Sequence, residues 1–141
     1  MQTFLPLPNF SQSAQVLDSQ RLGKQRVEAR QILKTLQEGG GWLNHPAVRM
    51  WEGFELALTQ YGNIMIAEWV LRGNNNNMPL IPTETRPKDI EMPPWFGDDR
   101  FHASHRSNLL RKDWEHYRQF SWTESVLLPY WWPTEEGKEE K

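Results

Sequence analysis

The sequence has no cysteine, and this absence excludes several kinds of site at once. Disulfides, thiolate zinc sites, iron–sulfur clusters and cysteine nucleophiles all need a residue type that the chain lacks. The chain also has no apolar run near the roughly 18 residues that span a membrane. Its start, MQTFLPLPNF, lacks the basic region and long apolar stretch of a signal peptide. We therefore expect a cytoplasmic protein with no membrane partner.

Several common catalytic signatures are absent as well. The sequence contains no GxSxG, no P-loop, no GxGxxG and no HExxH. Any catalysis must therefore depend on a less common arrangement of residues.

The length of 141 residues fits one domain of ordinary size. Eight Trp, six Phe and three Tyr supply large buried side chains, so one core is feasible although hydrophobic residues make up only 38%. We predict a single helical domain over residues 1–133 and a charged tail over 134–141 that is too polar to fold. We expect this domain to be a monomer.

Apolar spacing and capping residues predict three helices. After an extended arm of ten residues, the first helix runs from a serine cap at position 11 or 13 to about Gln37. The second starts at a cap, Asn44 or His45, with Pro46 in its first turn, and continues to Gly73 over about 40 Å.

A third helix is predicted over about 103–117, with Ser104 as a possible cap. Between the second and third helices, residues 74–97 contain five Pro and four consecutive Asn, which favour an irregular loop. The predicted fold class is therefore all-α: a compact three-helix domain with long irregular loops and essentially no sheet.

Charge is segregated along the chain, although the net charge is only −2. Residues 21–34 hold five basic side chains against one acidic, and residues 100–118 hold five against two. Residues 84–99 hold five acidic side chains against two basic. Two basic helices that face one direction would bind a polyanion while acidic loops point elsewhere. The alternative is that these are ordinary solvated helix faces.

One carboxylate stands among the bases of the first predicted helix. Arg21, Lys24, Gln25 and Glu28 are spaced i, i+3, i+4 and i+7, so they share one helix face. A carboxylate at the edge of a cationic groove would reach the sugar or base of a bound nucleic acid. Alternatively, Glu28 forms an ordinary ion pair with Lys24 one turn earlier.

The string FHASHRSNLLRKDWEHY carries two candidate sites. His102 and His105, beside Asp98, suggest a metal-dependent phosphodiesterase, but zinc-binding helices more often space two His by four around a Glu. Phosphate contact suits the string better, because donors near a helix start bind anions. The candidate phosphate-binding residues are Arg106, Asn108, Arg111 and Lys112. We expect no metal and no cofactor.

The last part of the chain is rich in aromatic residues. Trp122, and after it Tyr130, Trp131 and Trp132, would stack on exposed bases or wedge into a duplex. The alternative is that these rings close the core of a small helical domain. We include the terminal three among the candidate DNA-binding residues.

Taken in order, these blocks resemble the pyrimidine-dimer DNA glycosylase family of the phage endonuclease V type. The start MQTFL is similar to the family's catalytic amino terminus. The segment LDSQRLGKQRVEARQIL is similar to its first helix, with Glu28 at the position of the catalytic glutamate. FELALTQYGNIMIAEWVLRG is similar to its long central helix, and LPYWWP to its DNA-contacting carboxyl end. The resemblance is to a branch that begins MQTFLP and carries HRSNLLRK; it spans residues 1–133 and is poor across 74–97.

The resemblance implies a DNA repair glycosylase with AP-lyase activity on double-stranded damaged DNA. In the family an α-amine attacks C1′ of the damaged nucleotide and expels the base as an imine forms, and the imine permits β-elimination of the 3′ phosphate. An α-amine suits this role because its ordinary pKa of about 8 leaves much of it unprotonated near neutrality. Here the amine would be that of Met1, since Gln2 is too large for usual removal of the initiator Met. Glu28 would stabilise the cationic sugar and move protons.

The resemblance also implies DNA contacts along the first helix, and it includes three departures. The implied DNA-binding residues near the amine are Gln2, Arg21, Lys24, Gln25, Arg26 and Arg30. Gln2 stands where the family has Arg, Arg21 where it has His, and Val27 where it has Arg. The lesion therefore stays open between a pyrimidine dimer and another damaged or modified pyrimidine, including one in phage DNA. A non-catalytic nucleic-acid-binding helical protein is the remaining alternative.

Overall fold

Six α-helices account for the regular structure in the computed structural model of the chain, which describes residues 2–83 and 89–133. They are α1 Phe10–Val16, α2 Ser19–Glu38, α3 Pro46–Arg49, α4 Glu55–Leu71, α5 Asp99–Lys112 and α6 Trp114–Tyr117, followed by a 3₁₀ turn at Arg118–Phe120. No strand occurs within these ranges, so the predicted all-α class is confirmed. Three of the six helices are long, and the other three are short additions that the sequence prediction merged with them. The predicted tail over 134–141 lies outside the described residues.

The first predicted helix is in fact two helices. α1 ends at Val16, Leu17 is extended, and the Asp18 carboxylate caps α2 by accepting the Arg21 N–H at 3.2 Å. An aspartate at this position satisfies an N–H group that would otherwise lack a partner, so it starts a new helix rather than continuing the old one. The uninterrupted helix from position 11 or 13 to Gln37 was therefore wrong.

The second predicted helix is interrupted in the same way. His45 does cap it, because its Nδ1 accepts the Ala47 N–H at 3.0 Å with Pro46 in the first turn. The chain then turns at Gly53, whose φ of +87° suits glycine and not an L side chain. α4 starts only at Glu55, so a helix of about 40 Å was wrong and α4 is about 26 Å long.

α5 begins earlier than the sequence predicted. The Asp98 carboxylate accepts the Arg100 N–H at 3.0 Å, so the helix starts at Asp99 and not at 103. Ser104 is buried inside the helix, and its hydroxyl donates to the carbonyl of Phe101 at 2.7 Å. The described parts of the 74–97 loop hold no α-helix and no strand, as predicted.

The hydrophobic core lies between α2 and α4, with α1 also packed against α4. α2 and α4 approach closely because Gly62 of α4 faces Ala29 of α2. A Cβ at position 62 would lie 3.0 Å from that of Ala29. Trp51 and Tyr61 fill the core with fully buried rings. In the described ranges, no helix has both the length and the apolar character to cross a membrane.

The amino-terminal arm, residues 2–8, is irregular and largely buried. It has no neighbouring strand, so side chains from distant helices satisfy its backbone groups, as buried polar groups require. His105 Nδ1 accepts the Leu5 N–H at 3.0 Å, and His102 Nδ1–H donates to the Leu5 carbonyl at 2.7 Å. The Arg106 guanidinium donates to the carbonyl of Pro6 at 2.8 Å. The arm is therefore fixed against α5, which determines where residue 2 lies.

Candidate active site

A pocket of about 270 Å³ opens where the arm, α2, the end of α5 and the aromatic carboxyl end meet. Its lining residues are Gln2, Phe4, Arg21, Lys24, Gln25, Glu28, Lys112 and Tyr130. All but Phe4 belong to the set that the sequence predicted. A neighbouring pocket of about 190 Å³ shares the four lining residues Phe4, Arg21, Lys24 and Lys112. The structure thus brings residues from four separate segments into one cavity.

The charge of this pocket is cationic around a single carboxylate. Three basic side chains line it, and only Arg21 makes an ion pair, with Asp18 at 3.3 Å. Lys24 and Lys112 form no ion pair with any residue that the structure describes. Their charges therefore remain available to an anion such as a phosphate.

Glu28 is the one acidic residue in the pocket, and it is not neutralised there. Its Oε2 is buried without a hydrogen-bond partner, and no ion pair joins it to Lys24 within the described residues. The Nε2 of Gln2 is likewise buried and unpaired. A buried polar atom without a partner costs about 1–3 kcal/mol, so these two atoms are sites where water or a ligand can bind.

Gln25 and Tyr61 hold the arm at the pocket. The Oε1 of Gln25 accepts the Phe4 N–H at 3.1 Å and lies 2.6 Å from the Tyr61 hydroxyl, which also lies 2.9 Å from the Phe4 carbonyl. Burial raises the pKa of Tyr61 well above its ordinary value, and the Glu28 carboxylate raises it further. Tyr61 therefore remains a proton donor to these two oxygens. Gln25, predicted as a DNA-binding residue, is buried and fixes the arm.

Tyr130 forms the aromatic wall of the pocket. Its ring lies 6.5 Å from that of Phe4 and 5.5 Å from that of His105, centroid to centroid. Burial raises the pKa of Tyr130 to about 12, against the opposing charges of Arg111 and Arg21. The hydroxyl therefore stays protonated.

His45 is a neighbour of the pocket that the sequence prediction treated only as a helix cap. Burial lowers the pKa of His45, and the Glu28 carboxylate acts in the opposite direction, which places the two groups within electrostatic reach. Its ring meets the edges of Trp42 and Trp132 at centroid distances of 5.8 and 6.1 Å. The sequence predicted His45 only as a possible helix cap before Pro46, and nothing in it indicated a place beside the pocket.

Arg26 and Arg30 lie on α2 but do not line the pocket. The Arg26 guanidinium lies 4.3 Å from the centre of the Trp69 ring and donates to Asn76 Oδ1 at 2.6 Å. Arg30 donates to the carbonyl of Pro79. Both face the asparagine-rich loop, so their contacts are with the protein itself.

Two of the four candidates on α5 are used inside the fold. Asn108 is 2% exposed and its amide donates to the carbonyls of Ser104 and Leu128. The Arg106 side chain is 12% exposed, and it pairs with Asp99 and Glu124, each at 3.0 Å. We leave both out of the proposed DNA surface.

The other two α5 candidates differ from each other. Arg111 donates to the carbonyl of Val126 at 2.6 Å and so holds the carboxyl-terminal segment. Lys112 lines both pockets.

The carboxyl-terminal aromatic residues mostly pack against the protein. Trp122 stacks on Tyr117 with centroids 5.6 Å apart, so it covers the core. The Trp131 ring lies 4.6 Å from the Arg100 guanidinium. Trp132 contacts His45 and Tyr130. Of the three terminal residues, only Tyr130 lines the pocket.

The histidines proposed as metal ligands have other partners. His102 and His105 bind the Leu5 backbone, and His102 Nε2 also accepts the Gly97 N–H at 2.9 Å. In the part of the chain that the structure describes, no three His, Asp or Glu side chains form a group that could hold a metal ion. Among the described residues, His102, His105 and Asp98 therefore do not form such a group.

The fold and the pocket define a helical protein with a cationic cavity around one unpaired carboxylate, at the end of a buried amino-terminal arm. The sequence model of the family described as pyrimidine dimer DNA glycosylase matches residues 1–82, more than half of the chain. The chain belongs to this family, and it is a DNA repair glycosylase that acts on DNA. No curated protein and no solved structure matches it. The match includes every pocket residue of the arm and α2, whereas Lys112 and Tyr130 lie beyond it.

Proposed function

We propose that the protein excises damaged pyrimidines from double-stranded DNA and then cleaves the strand as an AP lyase, with the α-amine of Met1 as nucleophile. The observation that carries this proposal is the buried, unpaired Oε2 of Glu28 in a cationic pocket that Gln2 also lines. Met1 itself lies outside the described residues. One peptide bond joins it to Gln2, which lines that pocket.

In the proposed reaction the amine nitrogen forms a bond to C1′ as the bond from C1′ to the base breaks. The base leaves with the bonding electrons and takes up a proton. The amine loses a proton, the C1′–O4′ bond breaks as O4′ takes up a proton, and a protonated imine remains. Loss of a C2′ proton then expels the 3′ phosphate by β-elimination. Glu28 stabilises the cationic sugar and accepts protons, while Lys24 and Lys112 hold the flanking phosphates.

Sodium borohydride tests this mechanism, because it reduces an imine to a stable covalent adduct. The untagged protein is incubated with duplexes that carry an abasic site or a cyclobutane dimer, and the adduct is mapped by mass spectrometry. We expect an adduct on the amino-terminal peptide that is lost on amine acetylation and in Glu28→Gln. Glu38→Gln is the matched control, since Glu38 is exposed at the far end of the same helix.

Other outcomes reject specific parts of the proposal. An adduct on Lys24, which also lines the pocket, would keep the imine chemistry and reject Met1 as the nucleophile. Binding to both duplexes without any adduct would reject the lyase and favour a glycosylase that releases the base without an imine. The preference for one duplex over the other then tests which lesion the protein recognises.

A further inference from the structure

A row of aromatic rings leads from solvent to the pocket. Trp42 contacts His45, His45 contacts Trp132, and Trp132 contacts Tyr130 at a centroid distance of 5.6 Å. We call these four residues the aromatic row. Its inner end, Tyr130, lines the pocket, and its outer end, Trp42, is 53% exposed. The row therefore connects an exposed indole with the cavity that holds Glu28.

Trp42 lies on a loop with room around it. The three preceding residues are Gly39, Gly40 and Gly41, and a Cβ at any of them would meet no atom within 4 Å. Gly39 and Gly40 have φ of +81° and +130°, which L side chains rarely adopt. The fold thus leaves about half of this indole exposed, with His45 against its edge.

DNA is the occupant that fits this position. The pocket beside the row presents the free ammonium groups of Lys24 and Lys112, which match the phosphates on either side of a bound nucleotide. When a nucleotide leaves the helix to enter an enzyme pocket, the neighbouring bases lose their stacking partner. Proteins fill such gaps with apolar or aromatic side chains. An exposed indole that three successive ring contacts join to Tyr130 of the pocket meets this requirement.

We propose that Trp42 stacks on the DNA bases that are left without a partner when a nucleotide enters the pocket. It is a positioning residue, because it lies outside the pocket and takes no part in making or breaking bonds. The inference rests on the proposed function only in assuming that a nucleotide occupies the pocket. It holds whether or not an imine forms there.

Binding to a duplex with a tetrahydrofuran abasic analogue tests the role without any chemistry. A 2-aminopurine base opposite the analogue reports stacking through quenching of its fluorescence. Because Trp42→Ala removes one aromatic–base stack, it is expected to weaken binding to this duplex about tenfold, or about 1.4 kcal/mol. It should also reduce the quenching, whereas Trp42→Phe should keep most of both. Binding to undamaged duplex should change little.

Trp114→Ala is the matched control, since Trp114 is also 53% exposed but belongs to no ring contact in the described structure and does not line the pocket. Equal affinity and quenching in Trp42→Ala and the wild type would overturn the inference, as would an equal loss in Trp114→Ala. Failure of the wild type to distinguish the analogue from undamaged DNA would also overturn it. A wild type that distinguishes them through Trp42 but gives no borohydride adduct would reject the imine mechanism alone.

Discussion

Protonation of His105 is predicted to destabilise the folded protein at mildly acidic pH. The imidazole is fully buried, and its Nδ1 accepts the Leu5 N–H at 3.0 Å. Burial, together with the nearby His102, lowers the pKa of His105 from 6.5 to about 3. The hydrogen bond also lowers this pKa, because a proton on Nδ1 would turn the acceptor of the Leu5 N–H into a second donor that points at it. Acid therefore acts on the contact that holds the arm in place.

The sign and size of the effect follow from proton linkage. Because the folded-state pKa of His105 is lowered, its contribution to stability is complete above the unfolded-state pKa of 6.5 and is lost as the pH falls towards 3. Each pH unit in this window changes the free energy of unfolding by about 1.4 kcal/mol. Between about pH 7 and pH 5, His105 alone should remove about 2 kcal/mol.

Urea denaturation at the two pH values measures this loss, with His105→Asn as the comparison. The Oδ1 of asparagine can accept the Leu5 N–H but does not titrate in this range. We expect the wild type to lose about 2 kcal/mol more than the variant between pH 7 and pH 5. Burial also lowers the pKa of His102, but His102 is present in both proteins, so the comparison isolates His105. Equal losses in the two proteins would refute the reasoning.

Four further substitutions test other parts of the structure. Tyr61→Phe removes the hydroxyl that binds the arm, so urea denaturation should show a loss of about 1–2 kcal/mol. In Gly23→Ala the new Cβ would lie 2.9 Å from the Trp69 ring, and a steric cost of about 1–3 kcal/mol should outweigh the gain in helix propensity. Gly41→Ala, in open space, should leave the melting temperature nearly unchanged. Lys112→Ala should weaken DNA binding and lower the salt dependence, log Kd against log salt, by about 1.

The grouping of the α2 residues could be predicted from the sequence because it depends on local geometry. Arg21, Lys24, Gln25 and Glu28 share one face of any regular helix at that spacing, and the structure places all four in the pocket lining. The helix breaks were missed although they also have local causes. Asp18 looks like an ordinary polar residue inside an apolar pattern until its carboxylate is seen to accept the Arg21 N–H.

The role of the arm could not be predicted, because its partners are far away in sequence. The Phe4 N–H binds a residue 21 positions later, and the Leu5 N–H binds one 100 positions later. No periodicity in residues 2–8 signals such contacts. The two histidines of α5 were therefore considered as metal ligands, when both hold a buried backbone.

The basic residues of α5 show a second limit of sequence analysis. Arg106 and Lys112 are six positions apart, so they differ by about 120° around the helix. One faces Asp99 and Glu124, and the other faces the pocket. A count of local charge treats them alike. Only the acidic partners, one of which lies 18 residues further along the chain, separate a structural arginine from a lysine that remains available to DNA.

The pocket is divided between residues inside and outside the family match. The arm and α2, which lie within residues 1–82, supply the carboxylate and fix the segment that bears the proposed nucleophile. Lys112 and Tyr130 come from beyond the match and add a cationic and an aromatic side chain to the pocket lining. Chemistry that is common to the family would require the pocket residues of the arm and α2 to keep their geometry. Selection among damaged pyrimidines depends on the shape and charge of the surface that contacts the substrate. We therefore expect it to depend more on Lys112 and Tyr130 than on the arm and α2.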